Sequence, residues 1–286
     1  MRTLFLVMAA LLPAVILSLY IYKKDRVEKE PIRLLFALLF GGVACCYPAA
    51  VVEGLLLDII NKGVLQIYVF CGEYVDGKII YTVHQLLENF IGIALVEEGL
   101  KLWVLLRLTK NNREFNSIFD GIVYAVFVSL GFAAFENVIY VLQYGFSNAL
   151  MRAVTSVPGH TFFGVMMGYY YSFSHIAVKT AEAEEYLKSI DAIPKTAKTT
   201  TKTKSAWLML MVPVFAHGLY DYCCTYGTRL AIFVFYVFLI GMYVYCFGKV
   251  KQMSDDDAPV NFYVRSAILK KYPYLTGPVQ NGETEI

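Results

Sequence analysis

The sequence predicts an all-α, polytopic membrane helix bundle of about seven transmembrane helices, with the N-terminus outside and the C-terminus cytoplasmic. Hydrophobic residues make up 58% of the 286 residues, and the mean hydropathy is +0.54. A soluble chain of this length would not keep so much apolar surface away from water. Seven stretches approach the roughly 20 apolar residues that a helix needs to cross the hydrocarbon core, and basic residues concentrate in alternate loops.

The seven predicted spans cover most of the chain. They are residues 4–22, 34–56, 84–107, 119–142, 153–176, 206–224 and 229–248. The first is interpreted as a retained helix, because only Arg2 precedes its apolar run and no small-x-small cleavage site precedes Lys23. Between the second and third spans, residues 63–82 alternate apolar and polar side chains around Asp76-Gly77, which predicts a small hairpin on the outer face.

The loops after spans one, three and five are rich in lysine and arginine, and such loops stay on the cytoplasmic side. The loops after spans two, four and six are poorer in both. We therefore predict an outer N-terminus and a cytoplasmic tail. The hydrophobic composition predicts a lipid bilayer as the surroundings of the chain. The net charge of +2 and the lack of a clustered basic stripe predict that nucleic acid is not a partner. The basic residues of the three rich loops are Lys23, Lys24, Arg26, Lys29 and Arg33; Arg107, Lys110 and Arg113; and Lys179, Lys188, Lys195, Lys198, Lys202 and Lys204.

The domain organisation is predicted to be simple. Residues 1–250 form one transmembrane helical domain, and residues 251–286 form a cytoplasmic tail. Within the domain, residues 181–204 include a run biased to threonine and lysine that is too polar to bury a core. This stretch is predicted to be a flexible cytoplasmic linker.

Several ionisable residues lie inside the predicted spans, where each costs about 2.5–3.5 kcal/mol or more at a helix centre. Such residues need a partner or a function. They come from four separate spans, which suggests that the helices bring them together. The set, with one amide, is Glu97, Glu98 and Lys101 in span three, Glu136 and Asn137 in span four, His160 in span five, and His217 and Asp221 in span six.

The depths of these residues are compatible with one outward-facing cavity. With about 1.5 Å of rise per residue, Glu136, His160 and His217 lie roughly 9–12 Å from the outer helix ends, and Glu97 lies about 20 Å deep. The cytoplasmic halves of spans four and six are largely apolar, which argues against a path through the whole membrane. A membrane-embedded hydrolase fits this pattern, and a seven-helix transporter or receptor is the alternative.

Two of the intramembrane residues are predicted to be structural. Lys101 follows Glu97 by four residues and Glu98 by three, so it is expected to pair with one of these carboxylates. Asn137 is expected to form a hydrogen bond between helices. His217 and Asp221 are also four residues apart and project from one helix face, which favours a functional site.

Four motifs carry a resemblance to a known family. They are Glu97-Glu98-x-x-Lys101, Phe132-x-x-x-Glu136-x-x-x-Tyr140, His160-x-x-x-Gly164 and His217-x-x-x-Asp221, in this order on successive helices. Over residues 20–225 the chain resembles the PrsW family of intramembrane proteases, which is related to the CAAX-processing and bacteriocin-processing proteases. The resemblance implies a multi-pass protease of the bacterial cell membrane. It also implies regulated intramembrane proteolysis, in which site-1 cleavage of a single-pass anti-sigma factor starts a stress response.

Peptide hydrolysis without a serine or cysteine nucleophile requires a water activated by a general base, by a metal, or by both. Our hypothesis is that Glu97 activates the water with the help of His160. His217 and Asp221 would stabilise the oxyanion, while Glu98 and Glu136 would share the proton load. This scheme needs no cofactor. The alternative is a zinc ion held by His160, His217, Asp221 and Glu97, although the sequence has no H-E-x-x-H motif.

Overall fold

A computed structural model describes residues 1–71, 76–201 and 205–276, and these residues form a bundle of α-helices. No strand occurs in them, and Ser117 and Pro259 form an isolated bridge. The helices are α1 (Arg2–Lys24), α2 (Ile32–Cys71), α3 (Gly77–Leu86), α4 (Leu95–Thr109), α5 (Asp120–Tyr144), α6 (Phe146–Val154), α7 (Ser156–Ser189), α8 (Ser205–Tyr226), α9 (Arg229–Asp255) and α10 (Val260–Lys271), with a π-helical segment at Leu87–Ala94 and a 3-10 turn at Pro273–Thr276.

The predicted class, a polytopic all-α membrane protein, is confirmed. Five helical stretches of the described chain are long and apolar enough to cross a membrane. The predicted spans 153–176 and 206–224 also form helices, α7 and α8, but these are less apolar. In α7 the reason is its many small and polar residues, most of them buried against other helices. The count of seven and the orientation therefore stay predictions. The five stretches are Thr3–Lys24, Ile32–Phe70, Gly77–Thr109, Asp120–Tyr144 and Arg229–Asp255.

The predicted hairpin at 63–82 is wrong. Helix α2 continues to Cys71, and the next helix begins at Gly77. Asp76 is the N-cap of that helix, and its side chain accepts a hydrogen bond of 2.9 Å from the Lys78 amide. Asp-Gly therefore starts a helix here, as a capping aspartate does, and does not form a two-residue turn. Residues 72–75 of the predicted hairpin lie outside the described residues.

Helix α5 lies at the centre of the bundle, where glycines allow neighbouring backbones to approach closely. A Cβ added at Gly131 would lie 2.0 Å from the Leu39 carbonyl oxygen, at the crossing of α5 with α2. A Cβ at Gly168 would lie 2.3 Å from the Gly121 oxygen, where α7 crosses α5. Small residues at helix contacts are typical of membrane proteins, whose helices associate through close packing. These contacts fix the positions of α2 and α7 against the central helix.

Gly131→Leu should destabilise the bundle strongly, because no rotamer change relieves a clash between a Cβ and a backbone oxygen. Overpacking of this kind costs about 1–3 kcal/mol or more. The measurement is the fraction of detergent-solubilised protein that stays monodisperse after heating. Gly63→Leu is the matched control, because a Cβ at Gly63 in α2 meets nothing within 4 Å. Equal heat resistance of the two variants would contradict this packing.

Three connecting segments meet at the end of the bundle that is predicted to be cytoplasmic. The Phe119 amide donates to Asp257 Oδ1 at 3.0 Å, and the Tyr124 hydroxyl donates to Glu30 Oε2 at 2.7 Å. Burial raises the pKa of Asp25 to about 6, and burial together with the neighbouring Asp120 also raises the pKa of Glu30. These contacts join the segment after α1 to the start of α5 and to the turn before α10.

Helix α7 extends into the predicted linker. It ends at Ser189, and the following Ile193 packs with Val264 and Ile268 of α10 in a small second core. Lys271 of α10 lies 2.6 Å from the buried Glu184 of α7. The start of the predicted tail therefore contacts the predicted linker. The division into a domain at 1–250, a linker at 181–204 and a tail at 251–286 stays a prediction.

Candidate active site

One long helical stretch, Gly77–Thr109, carries the two adjacent glutamates. Its middle part, Leu87–Ala94, is π-helical, and π-helical turns occur frequently at functional sites. Helix α8 comes close to this segment because Gly218 has no side chain: a Cβ there would lie 2.6 Å from the Phe90 ring. The close approach brings His217, next to Gly218 in sequence, against the glutamates that follow the π-helical turn.

Lys101 lies at the centre of the site and is fully buried. Its Nζ lies 3.0 Å from Glu97 Oε2, 2.7 Å from Glu98 Oε1 and 3.2 Å from His160 Nδ1. The same ammonium group lies 4.1 Å from the centroid of the Phe132 ring. The predicted pairing of Lys101 is therefore confirmed, and it involves both carboxylates.

The two histidines are arranged alike. Each uses Nε2 to contact a carboxylate at the edge of the site: His160 lies 2.9 Å from Glu136 Oε2, and His217 lies 3.2 Å from Asp221 Oδ2. Each directs Nδ1 inward, with His217 Nδ1 2.9 Å from Glu98 Oε1. The rings lie 5.2 Å apart between centroids, nearly perpendicular. The outer carboxylates thus fix the orientation of both imidazoles.

Glu136 is also held by a residue of α6. Arg152 Nη2 lies 2.9 Å from Glu136 Oε2, and Arg152 Nε donates to Asn137 Oδ1 at 2.9 Å. Asn137 in turn donates to the Ala10 carbonyl oxygen at 2.7 Å. The predicted role of Asn137 as a link between helices is confirmed. Arg152 and Asn137 connect α1, α5 and α6 behind the carboxylate that orients His160.

A cavity of about 750 Å³ opens onto this cluster. Of the six predicted site residues, only Glu98 does not line it; Glu98 is fully buried behind Glu97, which is 7% exposed. The structure therefore brings all six residues together. Of the two adjacent glutamates, Glu97 is accessible from the cavity and Glu98 is not. The predicted site residues on the cavity wall are Glu97, Glu136, His160, His217 and Asp221.

The donor atoms fit a zinc ion. One ligand atom from each of Glu97, Glu98, His160 and His217 can be chosen so that all four lie within 4.8 Å of one another. Histidine and carboxylate are ordinary zinc ligands, and a carboxylate on the other ring nitrogen is the usual support of a ligating histidine. Glu98 Oε2 is buried and has no hydrogen-bond partner in the described structure. This group of donors includes Glu98, which the predicted zinc set does not contain, whereas Asp221 of the predicted set contacts Nε2 of His217.

Two charged residues of the cavity wall were not predicted. Arg152 lies between the predicted spans 119–142 and 153–176, and its sequence neighbours give no sign that α6 folds back over α5. Glu53 lies inside the predicted span 34–56. An ionisable residue in an apolar span is itself the signal that would have identified Glu53.

Lys101→Met should reduce the yield and heat resistance of the folded protein. The change leaves Glu97 and Glu98 without their buried cation, and breaking a buried pair costs about 3–5 kcal/mol. The measurement is the thermal stability of purified protein in detergent. Lys62→Met is the control, since Lys62 pairs with Asp58 on an exposed part of α2. A Lys101→Met protein of normal stability that lacks activity would instead place Lys101 in the reaction.

Comparison with known proteins identifies the family of this chain. Residues 30–247 match the family described as "PrsW family intramembrane metalloprotease". "Protease PrsW" of Geobacillus kaustophilus is 29% identical over 89% of this chain and 94% of its own length. "Protease PrsW" of Bacillus subtilis is 27% identical over 86% and 93%, and that of Clostridioides difficile is 27% identical over 90% and 94%. No solved structure matches. The chain therefore belongs to the PrsW family of intramembrane metalloproteases and is a multi-pass peptide hydrolase of the bacterial membrane.

Proposed function

We propose that this chain is an endopeptidase that makes the first cut in a single-pass membrane protein, such as an anti-sigma factor, on the extracytoplasmic side. The observation that carries the proposal is the buried cluster of Glu97, Glu98, His160 and His217 at the wall of a 750 Å³ cavity. Family membership favours this function over the transporter or receptor alternative. The predicted orientation supports a cut on the outer side.

A zinc ion is the cofactor that this cluster suits best. Glu98, His160 and His217 would hold it, which leaves Glu97 free to act as a base, and when bound it would supply Lewis-acid activation of a water and of the scissile carbonyl. The expectation of no cofactor is not confirmed, whereas the zinc alternative agrees with the description of the family and with the donor set.

The side chains have distinct tasks in this proposal. Glu97 is the more accessible of the two adjacent glutamates, so it takes the proton of the attacking water and passes it to the leaving amine. Glu98 would hold the ion together with His160 and His217, and its Oε1 atom also contacts Lys101. Glu136 and Asp221 orient the imidazoles of His160 and His217 through their Nε2 atoms.

The metal-free glutamate mechanism is the second candidate, and one contact favours it. Lys101 already contacts both carboxylates and His160 Nδ1, so a positive charge is present among the proposed ligands. In this scheme Glu97 activates the water with the help of His160, and His217 with Asp221 stabilises the oxyanion. Glu98 and Glu136 share the proton load. The metal content of active protein separates the two candidates.

Glu136→Gln and Asp221→Asn test the orienting roles. Each variant keeps the shape of the side chain but weakens a charge-assisted contact to a histidine. Partners of this kind contribute about 10-fold to 100-fold to metal affinity or activity. The measurement is kcat and KM for a single-pass substrate, with Glu114→Gln as the control in the connection between α4 and α5. Unchanged kcat in both variants would show that neither carboxylate orients a histidine for the reaction.

A further inference from the structure

Most acidic residues in and next to the cavity contact a basic side chain, but one does not. Glu97 and Glu98 contact Lys101, Glu136 contacts Arg152 and His160, and Asp221 contacts His217. Glu53 of α2 lines the same cavity, and no ion pair involving it is found in the described structure. Its Oε1 atom is buried without a hydrogen-bond partner. Among the carboxylates that line the cavity, Glu53 is thus the one that has no ion pair and an unsatisfied oxygen atom in the described structure.

A buried carboxyl group that lacks a hydrogen-bond partner lowers the stability of the folded protein until a partner binds to it. The nearby cations do not supply that partner: Lys101 contacts Glu97 and Glu98, and Arg152 contacts Glu136. Around the cavity the carboxylates outnumber the two basic side chains, Lys101 and Arg152. The electrostatic potential in the cavity is lowered as a result. A cation that enters the cavity is attracted to it.

Small residues leave room beside Glu53. Ala49 and Ala50, one turn before it on α2, also line the cavity, and a Cβ added at the following Gly54 would meet nothing within 4 Å. A long, flexible side chain can therefore lie along this part of α2 with its charged end at Glu53. Lysine and arginine have this shape, with an apolar stem and a charged tip.

We propose that Glu53 is a specificity-determining residue that binds a lysine or arginine side chain of the substrate near the scissile bond. This inference rests on the proposed peptidase function and adds the chemistry of the substrate. Glu53 lies on α2, whereas the proposed water-activating cluster comes from α4, α7 and α8. Glu53 therefore determines which substrate is bound, whereas Glu97 takes part in the hydrolysis itself.

The experiment uses purified full-length protein and a single-pass substrate that it cleaves. Each residue within four positions of the mapped cut is replaced in turn by lysine, glutamine and glutamate, and kcat/KM is measured for wild type, Glu53→Gln and Glu53→Lys. At one position the wild type should prefer lysine to glutamate at least about tenfold, the lower end for couplings between close charge pairs. Glu53→Gln should bring this ratio towards one, and Glu53→Lys should invert it. Asp58→Asn, an exposed site on the same helix, should keep the wild-type ratio.

The possible results are distinct. If the wild type cuts all the substrates without preferring lysine or arginine at any position, Glu53 has no such role, and this result does not depend on the folding of any variant. A preference that survives in Glu53→Lys also overturns the inference, while the peptidase function stands. If the wild type cleaves no single-pass substrate, the proposed function fails first, and the specificity fails with it.

Discussion

Glu97→Gln should lower the rate of substrate cleavage by about 100-fold to 10,000-fold, the contribution of a positioned general base. Glutamine keeps the size of the side chain and its ability to accept a hydrogen bond from Lys101, but it does not take a proton from water. The folded protein should therefore be obtained in normal amounts. The measurement is kcat/KM for a single-pass membrane substrate in detergent or liposomes, together with the heat resistance of the variant.

The control for this variant is Glu88→Gln. Glu88 belongs to the same helical stretch and pairs with His84 at 3.2 Å, but it is not part of the cavity wall. The control should keep nearly full activity. If Glu97→Gln turns over substrate at a normal rate, Glu97 is not the base, and the proton must pass to another group of the cluster.

Removal of metal should have a comparably large effect. If Glu98, His160 and His217 hold zinc, purified active protein carries about one equivalent, and a chelator inactivates it until zinc is added back. His217→Ala should also lower the zinc content itself, which is measured by elemental analysis and does not depend on activity. The reason is that the variant removes one of four donor groups whose atoms lie within 4.8 Å of one another.

His84→Ala is the control for zinc content, because His84 lies far along the same helical stretch and contacts Glu88 and Asn61. It should bind as much zinc as the wild type. Full activity in the presence of chelator, in protein without bound metal, would contradict the zinc proposal. That result would favour the metal-free glutamate mechanism and would leave the peptidase function intact.

The sequence predicted the core of the site because helical spacing determines which side chains share a face. Lys101 follows Glu97 by one turn, and His217 precedes Asp221 by one turn, so each pair had to meet in any helical fold. The cost of charge in lipid then required the four helices to join their polar residues. The structure agrees, since Lys101 Nζ contacts Glu97, Glu98 and His160.

What the sequence did not predict depends on contacts between distant segments. Arg152 reaches Glu136 because α6 folds back between α5 and α7, and no local pattern specifies that turn. The hairpin at 63–82 was predicted from alternation and from Asp76-Gly77, but a capping aspartate and a turn aspartate look the same in sequence. The extension of α7 to Ser189 was hidden by the polar composition of a segment that packs on α10.

The most direct test of the central claim is hydrolysis of a purified single-pass substrate in water enriched in oxygen-18, read by mass spectrometry of both fragments. The wild-type protein should cut one bond on the extracytoplasmic side of the transmembrane segment, and the new C-terminal carboxyl group should carry oxygen-18. Glu97→Gln should give no such fragment. Cleavage at the same bond and rate by the variant would contradict the claim that Glu97 is the base that activates the water.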